Sequence, residues 1–164
     1  MEILGVEQVF EKTIGGFHFK GRFDRVDSVN PAVVRVVDYK TGQVQDNDIL
    51  ITDENAAKVV AAIFNPSDSS KRPLTALQMY VYDRLIEGHP ILRGRPVANA
   101  VYQPARLHTH AVETVAASPV FLSMMEERVQ GLLDEMVDQS VPFRRNGNAD
   151  TTCKTCSFKT LCGR

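Results

Sequence analysis

Asp38 and Lys40, within "VVRVVDYKTG" at 33–42, set an acid and an amine two residues apart at the end of the chain's most apolar strand. Side chains alternate along a strand, so these two share one side and Tyr39 takes the other. A second acid, Asp24 of "GRFDRVD", belongs to the preceding strand, and antiparallel pairing through a turn at 27–32 brings it near Asp38. Two carboxylates beside a lysine suit a hard cation such as Mg²⁺, which takes oxygen ligands, keeps several waters and activates one against a phosphodiester. The backbone carbonyl of Tyr39 supplies a further oxygen, while Lys40 orients or deprotonates the water and offsets charge on the phosphate. Alone, a strand-end Asp-x-Lys is more often a solvated ion pair. The pattern gains weight from its neighbours.

Those neighbours sit in a chain sized for one ordinary domain. It has 164 residues, 43% hydrophobic and 24% charged, with no Trp, enough for a real core. The net charge of −1 argues against a generally basic nucleic-acid binder, yet not against an enzyme whose acids await a metal. The start, "MEILGVEQVF", lacks the basic and apolar regions of a signal peptide, and no apolar run is long enough to span a membrane. A cytoplasmic location is expected, with no membrane partner. No Walker-type G-x-x-x-x-G-K-[ST] occurs, so any motor lies elsewhere.

The pattern of elements places the candidate residues. "ILGVEQVFEKTI", a Gly15-Gly16 turn and "FHFKGRFDRVD" read as strands, the last with Phe17, Phe19 and Phe23 at alternate positions around Gly21. Asn30-Pro31 breaks the chain before Val33–Val37, an apolar run suited to a central strand. A short helix is expected at 54–64. A second follows Pro73, with Leu74, Leu77, Val81 and Leu85 as its core stripe and Gly88 as its end. "PVANAVYQPAR" reads as another strand, and Ser118-Pro119 opens a final amphipathic helix. The order implies an α/β domain with a mixed sheet flanked by helices. The core is expected to span 1–145, and 146–164 forms a cysteine-containing tail.

In that tail, "CKTCSFKTLCGR", all three cysteines fall within the last dozen residues: Cys153, Cys156 and Cys162. In a cytoplasmic protein this clustering points to metal ligation rather than disulfides.

"GRFDRVD" followed by "VVRVVDYKTG" resembles the second and third motifs of the RecB-like branch of the PD-(D/E)XK nuclease superfamily, and Gln78 with Tyr82 matches that branch's Q-x-x-x-Y. The tail is similar to the end of AddB-type nucleases, where C-x-x-C and a later cysteine join a fourth, upstream cysteine around a [4Fe–4S] cluster. The resemblance implies a restriction-endonuclease-like fold and a DNA nuclease, expected to be an exonuclease within a repair and recombination helicase–nuclease. It implies Mg²⁺ or Mn²⁺ on Asp24, Asp38 and the Tyr39 carbonyl, with Lys40 catalytic. Gln78, Tyr82 and Arg22 would position the DNA strand, and Arg25 would touch phosphate or form a surface ion pair. The family also carries an upstream helix with a metal-binding histidine. Neither that histidine nor a fourth cysteine is present here, so the chain is expected to be the C-terminal nuclease domain of a longer protein with a helicase subunit or domain as partner. Zn²⁺ on the three thiols and one of His18, His89, His108 or His110 is the lesser alternative. A non-catalytic docking platform that keeps the fold is the competing function.

Overall fold

The computed structural model describes residues 1–42, 44, 48–65, 72–106, 114–115, 117–142, 153–154 and 156–161. Strands β1 (Glu2–Ile14) and β2 (Phe17–Ser28) form a long hairpin around Gly15 and Gly16. Both glycines hold positive φ, +57° and +84°, which is the left-handed pair a two-residue hairpin turn requires. β3 (Val34–Tyr39) pairs antiparallel with β2, β4 (Val97–Tyr102) parallel with β3, and β5 (Thr114–Val115) antiparallel with β4. The result is a five-stranded mixed sheet in the order β1-β2-β3-β4-β5, as expected of a restriction-endonuclease-like α/β fold.

The turn between β2 and β3 is held by side chains. The Ser28 hydroxyl bonds the carbonyls of Asn30 and Val33, and Asn30 Oδ1 accepts the Ala32 amide at 3.0 Å. This locks the register that carries the acids.

Three helices complete the domain: α1 (Asp53–Ile63), α2 (Leu74–Ile86) and α3 (Pro119–Val137). Ser118 caps α3 through the Phe121 amide and also bonds Asp53, pinning the starts of α1 and α3 together. α2 lies between two core clusters. Met79, Tyr82, Leu85 and Ile86 meet Phe23, Val34 and Val36 of the sheet, while Ala76 and Tyr80 meet Val60, Phe121 and Met125 of the other helices. A helix covered on two sides has no single apolar stripe, and the expected stripe needs correction: Leu74 is 57% exposed, whereas Tyr80 is buried. Gly88, with φ +75°, follows the end of α2 as expected.

β2 changes partner at the level of Asp24. Phe23 and Val26 are both fully buried although they are three residues apart in a strand. Beyond the last β3 residue, α2 takes over: the Tyr82 hydroxyl donates to the Arg22 carbonyl at 3.1 Å. The strand end of β3 and the flank of α2 therefore meet at one place on β2. Among the described residues, no helix is long and apolar enough to cross a membrane.

Candidate active site

The β2–β3 register pairs Arg25 with Val37, so continuing it by one residue sets Asp24 directly across from Asp38. Facing residues in an antiparallel pair share a side of the sheet. The Tyr39 amide donates to Asp24 Oδ2 at 2.8 Å, tying the acid of β2 to the end of β3. Asp38 is only 3% exposed. A buried carboxylate needs partners, and it has two: Gln78 Nε2 donates to Oδ1 at 2.8 Å, and Lys40 Nζ stands 2.9 Å from Oδ2. The ammonium contact lacks hydrogen-bond geometry, so buried Oδ2 keeps an unfilled acceptor position.

Gln78 is the hub. Its Oε1 accepts from Lys40 at 2.6 Å, and its Nε2 donates both to Asp38 and to the Tyr82 hydroxyl at 2.7 Å. The amide can face only this way, because a flip would turn its oxygen against the carboxylate. Tyr82, four residues on and thus on the same helical flank, donates its hydroxyl to the Arg22 carbonyl. Burial pushes the Tyr82 phenol up, the Gln78 bond pulls it down, and the charges of Asp38, Asp24 and Glu7 push it up further.

Asp24, Asp38, Lys40, Gln78 and Tyr82 are thus gathered at one junction. Arg22 lies beside it with its side chain exposed, 3.9 Å from Glu7. Arg25 differs from expectation: its side chain is 14% exposed, ion-paired with fully buried Asp27 at 2.9 Å and stacked against Tyr39 and Tyr102 at 5.4 and 4.9 Å. It is a structural group of the opposite side of the sheet rather than a surface charge.

The tail is described in part. Cys153 and Cys156 are free thiols, and the Cys156 amide donates to the Cys153 carbonyl. Cys162, His108 and His110 lie outside the described residues. His89 caps the short helix Pro90–Leu92 through Nδ1, and His18 sits 3.6 Å from Glu11. Among the described residues, no three His, Cys, Asp or Glu side chains converge as they stand.

Two features escaped the reading of the sequence. Asp83, also on α2, is half-buried and accepts from Asn99 Nδ2 at 2.9 Å, and loss of solvent pushes its carboxyl up to about 6. Glu7 stands across β1–β2 from Asp24, because the flanking pairs are Val6 with Arg25 and Gln8 with Phe23. The Gly15-Gly16 turn held that signal: pairing Ile14 with Phe17 fixes Glu7 against Asp24 by counting back.

The family model described as the PD-(D/E)XK nuclease superfamily matches residues 1–163. The chain belongs to the PD-(D/E)XK nuclease superfamily, whose members are generally nucleases dependent on divalent metals. Among solved structures it is similar to the crystal structure of SSO0001, at 15% identity and a TM-score of 0.35 over 96% of this chain. The chain spans 58% of that protein's length. No curated protein matches.

Proposed function

We propose that the chain is a DNA nuclease that hydrolyses phosphodiesters with Mg²⁺ or Mn²⁺, the ion held by Asp24, Asp38 and the Tyr39 carbonyl. The donor set fits such an ion. Asp38 Oδ2 is buried with an open acceptor position, and Asp24 is held opposite it by the Tyr39 amide. A strand residue's amide and carbonyl leave by the same edge, so the Tyr39 carbonyl is turned toward Asp24 as well. When bound, the ion would polarise the phosphate and lower the pKa of an attacking water.

The protein's own groups do the rest. Lys40, held between Asp38 and Gln78, keeps its ammonium where charge grows on the phosphate. Gln78 fixes Asp38 and Lys40 relative to one another, and Tyr82 fixes Gln78 against the backbone of β2. The exposed Arg22 guanidinium is suited to a backbone phosphate of the strand. The observation that carries this reading is the single amide of Gln78 joining acid, amine and tyrosine. A solvated ion pair would not be organised by three buried or half-buried bonds.

The finer assignment rests on motif resemblance: a RecB-like, AddB-type exonuclease working beside a helicase in repair and recombination. On that reading Cys153, Cys156 and Cys162 contribute to a [4Fe–4S] cluster completed by a cysteine outside this chain. Iron analysis of anaerobically prepared protein tests that part.

The test of the core reading is digestion of linear DNA with Mg²⁺ or Mn²⁺ by the wild type, Asp38→Asn and Lys40→Ala. Loss of cleavage in both variants, with the circular dichroism spectrum retained, is expected. Wild-type rates in both would overturn the assignment. A wild type that binds DNA without cutting it under any divalent ion would support a docking platform instead.

A further inference from the structure

Glu7 has three properties that a bystander on a strand does not need. It lies directly across from Asp24, which lies across from Asp38, so three acids form one row over β1, β2 and β3. Its backbone is held at φ +49°, a left-handed conformation that costs a residue with a Cβ about 1–2 kcal/mol. Its side chain is 61% exposed and, among the described residues, engaged only with Arg22, at the long distance of 3.9 Å. Exposed pairs of that length contribute little, so the side chain is free to leave. Its charge also adds to those of Asp38 and Asp24 in raising the Tyr82 hydroxyl.

The candidate centre is short of such a group. Asp24, Asp38 and Lys40 carry a formal charge of −1 between them, and two carboxylates with one carbonyl leave a hexacoordinate ion mostly to water. Neighbouring facing positions in a sheet lie about 5 Å apart, within the sweep of a glutamate side chain.

We propose that Glu7 is the third carboxylate of this centre, loosely paired with Arg22 in the absence of metal and drawn in when a divalent cation arrives, either onto the ion or onto one of its waters. Leaving Arg22 has a second consequence. The guanidinium is released for a phosphate, so cation entry and substrate capture are coupled through one exchanged ion pair. The inference rests on the metal-centre reading of Asp24 and Asp38 given above.

Calorimetric titration of the 164-residue chain with Mn²⁺, without DNA, tests it. Wild type is expected to bind, Asp38→Asn to lose binding, and Glu7→Gln to bind about tenfold more weakly, the scale of losses seen for groups supporting a metal site. Glu7→Gly separates ligation from backbone strain. It relieves the left-handed conformation, so its thermal midpoint should equal or exceed that of wild type while its Mn²⁺ affinity falls like that of Glu7→Gln. Wild-type affinity in both Glu7 variants, with binding lost in Asp38→Asn, overturns the role of Glu7 and leaves the centre standing. A wild type that binds no Mn²⁺ overturns both.

Discussion

The Lys40 ammonium donates to the side-chain carbonyl of Gln78 at 2.6 Å, across the gap between β3 and α2. Because the same amide also donates to Asp38, Gln78→Ala would leave the buried acid with the Lys40 contact alone and the amine with one anchor fewer. Removing a group that orients a metal ligand costs about 10–100-fold in affinity or activity. Steady-state cleavage of linear DNA by Gln78→Ala is expected to fall by that amount with the fold intact. Gln78→Glu is the sharper variant: it keeps an acceptor for Lys40 but sets a carboxylate against Asp38, so it should be worse than alanine. Equal rates for glutamate and glutamine would contradict the bridge.

Asp83 supplies a pH dependence that is separate from the active site. Burial raises its carboxyl from 3.8 to about 6, against the pull of the Asn99 bond. A carboxyl whose folded value exceeds its unfolded one favours the fold when protonated. Its contribution is complete below about pH 3.8 and is lost as the pH rises through about 6. The gap between the two values corresponds to about 3 kcal/mol. Asp83→Asn removes the charge, and its new amide can meet the Asn99 Oδ1, which is buried without a hydrogen bond. The variant should be more stable than wild type at pH 8, by an amount that vanishes toward pH 4. Urea midpoints at the two pH values measure this, and a constant difference between the proteins would contradict it.

On the opposite side of the sheet, Asp27 is fully buried between two guanidinium groups. Arg35 donates to both of its oxygens, at 2.8 and 3.0 Å, and Arg25 Nε lies 2.9 Å from Oδ2. The Asp27 bond is also the main support of the charged form of Arg35. Removing one member of a buried set leaves charge without compensation and costs on the order of 3–5 kcal/mol. Asp27→Ala is therefore expected to unfold at far lower denaturant than wild type. A shift below about 1 kcal/mol would mean that water reaches this cluster.

The legible part of the site was whatever alternation or helical spacing fixes within one element. Asp38 and Lys40 on one side of β3, and Gln78 with Tyr82 on one flank of α2, follow from periods of two and of about 3.6. Asp24 opposite Asp38 needed only a short turn between paired strands. Relations involving a third element were not legible. Leu74 was assigned to the core because a helix with one apolar face would bury it, whereas α2 is covered by the sheet on one side and by α1 and α3 on the other. Arg25 read as a phosphate ligand or surface charge because its partners Tyr39 and Tyr102 come from two other strands. Glu7 was within reach through the Gly15-Gly16 turn, but its significance depends on a register summed over three strands.

β2 and α2 pack closely at Gly21, and the closeness is testable. A Cβ built there would lie 2.7 Å from Leu85 Cδ1 and 3.7 Å from Tyr82 Cε1. Leu85 is 3% exposed, so its methyl has little room to retreat. Gly21→Ala should therefore act as overpacking, costing about 1–3 kcal/mol, and should push α2 away from β2. That displacement would strain the Tyr82 bond to Arg22 and, through it, the setting of Gln78, so activity should fall beyond what lost folded population explains. Leu85→Val shortens the obstructing side chain. In a double-mutant cycle, Gly21→Ala with Leu85→Val should be less destabilised than the sum of the single variants by about 0.5–3 kcal/mol. Strict additivity would mean that the β2 backbone, and not Leu85, absorbs the added carbon.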